Sequence, residues 1–534
     1  MRLNKTSFII IISAAIVSVL LFSVTIISFP GYFSFLNSQH TEVCSDYDKE
    51  KRIIMVKCNS TLSEVGIALS DDNILKKEST DGIWLLNSSL VVMKGATLRI
   101  DPSDAKWLKI SSEGTSFGVR KLLGTDQGSN EPTPYAIRIF GRLDIHGVKV
   151  TSWDPETNNY TNQRSDGTVP RPFIAIERGS NSSHISDSEI AYLGYNSSRK
   201  QGLSFYGGDD STLTGNRIHN LWYGFISVNV GRISIENNTV YNNYRYGIDP
   251  HLGSHDMVIR NNHIYNSRIG LICSLECSNM IFEKNSIENN NEIGLMFSRN
   301  SINSIARYNN ISLSDTGISM SDSHLNKVYG NDLLNNIAAL AIKDNSSSNI
   351  SFNNTISGAR DCGILVVEAH NNTIKQNNIE NYHGSGICLT GGAIQNLFYS
   401  NEIEGPGKYG IDVRDGAREN SFFTNVIHLA DNAIRVYNNT ETLFVDNRVG
   451  NTIGHQYIIS GNSILNLVKT QFIGDRIRAA GVQPNAIKIW DSGIINILTN
   501  LSGNNTEIMT YDTDKQPYIR KISYNTIKIY SKTN

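Results

Sequence analysis

Through the middle of the chain, apolar and polar residues alternate in short runs such as Ile233-Ser234-Ile235-Glu236 and Met280-Ile281-Phe282-Glu283, bounded by Asn or Gly. Period-two alternation predicts strands with one face inward, and the bounding residues are those that take the left-handed backbone needed in tight turns. No stretch long enough for a crossover helix separates the runs. A Gly followed by an apolar residue recurs at Gly202, Gly224, Gly247, Gly270, Gly294, Gly317, Gly363, Gly386 and Gly410, with Ala339 keeping the period. A second marker, Asn-x-Ile/Val/Leu, runs in step from Asn216 to Asn447. Two markers in phase describe one stacked unit of about 23 residues. A leucine-rich repeat would show a Leu ladder and a helical half, whereas Ile, Asn and Gly carry this pattern. The prediction is an all-β, right-handed parallel β-helix, in which equivalent residues of successive coils lie ~4.8 Å apart and inward side chains form ladders. The recurrent Asn residues are expected to satisfy buried turn backbone and carry no chemistry.

The ends break the pattern. Arg2 and Lys5 precede an uncharged apolar run from Phe8 to Phe29 that exits through Pro30, Gly31 and Tyr32 without a small-residue cleavage site. This predicts an uncleaved transmembrane anchor at 1–30, its basic end cytoplasmic and the β-helix outside. Residues 31–80 are expected to form a linker and N-cap, 81–200 the first coils, 201–460 the regular coils carrying the site, and 461–534 a C-terminal cap that blocks edge pairing. Charged residues make up 18% and the formal net charge is -2, which gives no basic field for nucleic acid. Cys44 and Cys58 can close a short loop, a pairing suited to an oxidising compartment. Cys273 and Cys277 have the spacing of a metal half-site but lack a second pair, so a local bridge or two packed thiols is expected. Sequons at Asn87, Asn159, Asn181, Asn196, Asn345 and Asn500 are available for glycans or arise from Asn- and Ser-rich composition.

Stacking makes each fixed distance from the repeating Gly a column on one face. Four residues on stand Val228, His251, Ser274, Ser298 and Ser321, and five on stand Asn229, Leu252, Leu275, Arg299 and Asp322. His251 interrupts a column of small or apolar residues, and Pro250 occupies a strand position where it costs a ladder hydrogen bond. Local rules broken at one coil mark a site.

Tyr246-Gly247-Ile248-Asp249-Pro250-His251 resembles the signature of mannuronan C5-epimerases, β-helical enzymes that convert mannuronate to guluronate in alginate. Val150-Thr151-Ser152-Trp153-Asp154, Arg171-Pro172-Phe173, Ala191-Tyr192-Leu193-Gly194-Tyr195 and Phe297-Ser298-Arg299-Asn300 are similar to other segments of that family. The resemblance implies His251 as the base and Asp249 as the residue that orients it. The reaction removes a proton alpha to a carboxylate, so the carboxylate must first be neutralised. Arg suits that task through its bidentate fork, and an imidazole suits proton removal near neutrality. Two departures stand out: Leu252 replaces a second acid, and Leu275 occupies the place of the family's carboxylate-binding Arg. Arg299, Arg268 and Arg245 are the candidate substitutes, with Tyr246, His255 and Asp256 as further substrate contacts. Loss of the O4 substituent from the same intermediate would make the site a polyuronate lyase. A third reading is a non-catalytic carbohydrate-binding or structural β-helix that retains the motif. No cofactor and no metal are expected.

Overall fold

The computed structural model describes residues 43–112, 134–161, 169–438 and 440–454, and in the C-terminal stretch 457–460, 463–468, 471–473, 487–489, 494–498, 518–521 and 526–530. A representative coil runs through strands Tyr246–His251, Val258–Arg260 and His263–Tyr265 before the next begins at Ile269–Ser274. Each strand pairs in parallel with its equivalent in the neighbouring coil, so three sheets run along the stack. The chain is thus a parallel β-helix, as its periodicity predicts. Ile248, Leu271, Leu295, Ile318 and Leu340 form one fully buried column of the core.

The glycine marker has a steric cause. A Cβ on Gly247 would lie 2.5 Å from the carbonyl oxygen of Gly270, and one on Gly270 would lie 2.8 Å from that of Gly294. Successive coils approach too closely there for a side chain. The asparagine marker has a polar cause. The backbone N–H and Nδ2 of Asn238 both donate to Oδ1 of Asn262, at 2.9 and 3.0 Å, while Nδ2 also donates to the carbonyl of Leu213. The same arrangement repeats through Asn285, Asn309, Asn331, Asn354, Asn377, Asn401 and Asn425 to Asn447. A parallel ladder from Asn326 through Asn349, Asn372 and Asn396 to Asn420 holds another corner. Each ladder closes turn groups that burial removes from water.

Replacing Asn331 with Leu removes its donations to Ala306, Tyr329 and Asn354 and the acceptor used by Asn309. Several buried groups lose their partners together, and the expected loss is about 3 kcal/mol in denaturant unfolding.

At the N-terminal end, the hairpin of Ser45–Asp48 and Ile53–Val56 is closed by a Cys44–Cys58 disulfide. Helix Leu62–Leu69 follows, its start fixed by a capping box of Thr61 and Glu64, and it buries Leu62 and Val65 in the core. At the other end, antiparallel pairing of Ile494–Leu498 with Thr526–Tyr530, and of that strand with Tyr518–Lys521, ends the parallel order. Cys273 and Cys277 form a local disulfide, as one of the two sequence alternatives holds. Cys362 and Cys388 form a third bridge between neighbouring coils, a pairing not read from the sequence. The expected membrane segment at 1–30 lies outside the described residues. Among the described residues, no helix is long and apolar enough to cross a membrane.

Candidate active site

Strand pairing reproduces the column arithmetic: Val228, His251, Ser274, Ser298 and Ser321 stand in register. Pro250 has the expected effect on the ladder. Pairing toward the next coil runs from Ile248 with Leu271 directly to His251 with Ser274, leaving out Asp249 and Pro250. Asp249 and His251 share the face of this strand opposite the core column of Ile248, and part-exposed Tyr246 stands at its start.

His251 Nδ1 lies 2.7 Å from Ser274 Oγ and 3.4 Å from Asp249 Oδ2. Ser274 Oγ donates to Asp249 Oδ1 at 3.3 Å. The hydroxyl has one proton, so donating it to Asp249 leaves the oxygen as acceptor for an Nδ1–H of His251. That tautomer leaves Nε2 unprotonated. His251 is part-exposed while Asp249 is fully buried, and burial pushes the Asp249 carboxyl above its ordinary value despite the opposing pull of His251 and Ser274. Oδ2 of Asp249 makes no well-aligned hydrogen bond, although His251 Nδ1 stands 3.4 Å away.

At the other end of the strand face, Tyr246 stacks on Tyr223 at 4.9 Å, and Trp222 stacks on Tyr244 at 4.5 Å around the corner. Arg245 places its guanidinium 5.3 Å from the Tyr246 ring centre. Burial works against the Arg245 charge, yet Tyr246, Tyr223 and Asp249 together hold its titration above the ordinary value. Burial, then the Asp249 charge, pushes the Tyr223 hydroxyl up.

The other sequence candidates separate. Arg268 is paired with Glu292 at 2.7 Å in an exposed ion pair. Arg299 is exposed, with a left-handed φ of 53°, two coil rises or ~10 Å along the stack from His251. Leu275, in the same outer column, also has a left-handed φ of 57° and presents no charge. His255 and Asp256 satisfy one another at 2.8 Å on the exposed turn, and among the described residues no hydrogen bond or ion pair joins them to His251 or Asp249. Ser274 is the member of the array that sequence reasoning left without a role. Its position in the column of His251 was the available signal.

A family model described as periplasmic copper-binding protein (NosD) matches residues 157–349 and 341–465. The chain belongs to this family. The copper of the description can be tested against the donors present. All six cysteines are consumed in disulfides, and among the described residues no three His, Cys, Asp or Glu side chains converge. Copper selects imidazole, thiolate and thioether ligands, so this donor set does not fit it and no step is assigned to that metal.

The curated relatives are mannuronan C5-epimerases, in agreement with the resemblance read from the sequence. The epimerase of Pseudomonas putida is 29% identical over 274 residues, covering 48% of this chain and 49% of that protein. The mannuronan C5-epimerase AlgG of Azotobacter vinelandii is 29% identical over 290 residues, with coverage of 51% and 50%. The chain thus spans about half the length of the curated relatives it matches. The crystal structure of the periplasmic alginate epimerase AlgG superposes with a TM-score of 0.51 at 21% identity, covering 73% of this chain and 85% of that one. A double mutant of that protein gives 0.56 at 22%, with coverage of 65% and 85%. These structures share the fold.

Proposed function

We propose that the chain is a C5-epimerase of an alginate-like polyuronate, converting mannuronate to guluronate. The observation that carries this reading is the array Asp249, Ser274 and His251 on the outward face of one strand, with Tyr246 and Arg245 at its other end. Epimerisation needs one group to take the C5 proton from one face of the sugar and another to return a proton to the opposite face. His251 Nε2 acts as the base, fixed in its tautomer by Ser274 and Asp249. Tyr246, across the strand face, is the acid that reprotonates C5. A sugar lying over Asp249 is flanked by both.

The proton is weakly acidic until the adjacent carboxylate is neutralised, so an Arg must bind it. Arg245 is assigned this role in place of the residue missing at Leu275, because its charge acts on Asp249 and both tyrosines, whereas Arg268 is spent on Glu292. Arg299 is assigned to a neighbouring sugar along the groove, and His255 and Asp256 to the groove rim. Three disulfides agree with a catalytic stack outside the cytoplasm. The apolar segment at 1–30 is assigned as its membrane anchor, and the coils are assigned the right hand of parallel crossovers.

The test is incubation with polymannuronate in deuterated water, read by NMR. Deuterium at C5 without unsaturated chain ends is the expected result. Unsaturated ends would make the protein a lyase, and absence of exchange on polyuronates would make it a binding or structural β-helix.

A further inference from the structure

The outward face that carries His251 holds a second, altered copy of the same site. Lys408-Tyr409-Gly410-Ile411-Asp412-Val413-Arg414 repeats the pattern of Arg245-Tyr246-Gly247-Ile248-Asp249-Pro250-His251. The register is continuous between them. Tyr246 leads to Tyr409 through Ile269, Ile293, Thr316, Ala338, Cys362 and Ser385, which is seven coil rises, or ~34 Å. Asp412 therefore occupies the column of Asp249 and Arg414 that of His251. The copy extends to three dimensions, since Lys408 Nζ lies 5.5 Å from the centre of the Tyr409 ring, as Arg245 lies over Tyr246.

The differences are chemical and consistent. Asp412 is not free to orient a base. Arg435 in the next coil grips it with two parallel hydrogen bonds, from Nε at 2.7 Å and Nη2 at 2.6 Å, and donates from Nη1 to the Tyr409 hydroxyl at 3.2 Å. The column position that holds imidazole at His251 holds a guanidinium here, which cannot accept a proton. Arg414 is 38% exposed, its Nε facing Asp412 at 3.9 Å and Asp415 at 3.8 Å without a hydrogen bond. Asp415 is itself held by Thr390 and Asn438. Exposed Tyr437 follows Arg414 in the same column. The result is a hydrogen-bonded base of buried Tyr409 and Asp412 and half-buried Arg435, beside which Lys408, Arg414 and the Tyr437 ring are exposed.

We propose that this second copy is a non-catalytic subsite that binds uronate carboxylates of one polymer at Arg414, with a sugar ring against neighbouring Tyr437, and at Lys408 toward the other end of the strand. It holds a distal part of the polymer whose reacting sugar lies at His251. The proposal rests on the reading of the chain as a polyuronate epimerase.

The full chain is tested by affinity electrophoresis through gels containing polymannuronate, and by C5 exchange on polymannuronate and on a mannuronate pentasaccharide. The variants are Lys408→Ala/Arg414→Ala and Arg414→Lys. The double variant should lose retardation and raise KM for the polymer about tenfold, with kcat and the pentasaccharide KM unmoved. Arg414→Lys should restore part of the affinity. Unchanged retardation and polymer KM in the double variant would overturn the subsite, as would an equal rise of KM on both substrates or a wild-type protein that polymannuronate does not retard. Wild-type retardation that the double variant loses, without any exchange, would uphold the subsite and reject the epimerase reading instead.

Discussion

His251→Ala is expected to lower C5 deuterium exchange by about 10²- to 10⁴-fold while leaving retention on polymannuronate intact, because it removes the proton acceptor and little of the binding surface. The side chain stands outward between Val228 and Ser274, beyond the core column of Ile248, so its truncation opens a notch in the outer face and no internal cavity. The melting temperature should move by no more than a few degrees. His251→Asn is the sharper control, since its side-chain amide keeps a hydrogen-bonding group in place of Nδ1 but supplies no base. Equal exchange in His251→Ala and wild type would remove His251 from the chemistry and return the reading to a binding β-helix.

Asp249→Asn should separate activity from stability. The variant keeps an oxygen to accept from Ser274 but loses the charge that favours the Nδ1–H tautomer of His251, and exchange should fall by roughly 10²-fold or more. The fold should gain about 1 kcal/mol at neutral pH, because a fully buried carboxylate is no longer ionised there. Burial raises the Asp249 carboxyl above its unfolded value, so its contribution to stability is most favourable below the unfolded value and is lost as pH rises through the folded one. Melting curves of wild type and Asp249→Asn should therefore converge in acid and separate toward neutrality. A wild-type protein more stable than the variant at neutral pH would show that the His251 contact outweighs burial.

The fold was legible in the sequence because its constraints recur. Each coil must let the next approach at Gly247 and its equivalents, and each corner must close its backbone on an Asn such as Asn262, so both rules are written about every 23 residues. His251 and Asp249 stood out as candidates because Pro250 breaks the strand rule beside them, and the pairing toward the next coil does skip Asp249 and Pro250. Ser274 was less so: its partner lies one coil away, and serine is the ordinary occupant of that column at Ser298 and Ser321. Arg299, Arg268 and Arg245 were equally open as carboxylate partners from column position, and the turn of Arg245 over Tyr246, on which its proposed role rests, is a contact that spacing does not encode. The Cys362–Cys388 bridge was hidden for a similar reason, since its 26-residue separation joins different columns of adjacent coils. The second motif lacked the Pro-His that made the first conspicuous.

The coil stack also has a thermal consequence. Because each coil touches little beyond the ones above and below it, stability is a nearest-neighbour sum, and heat frays such a rod from its ends. His251 sits well inside the regular coils, whereas Tyr409 and Arg414 lie closer to the end where parallel order stops. On the proposed function, warming loosens the coils at Arg414 before it reaches His251, so retention of long chains is expected to fade at a lower temperature than exchange on short ones.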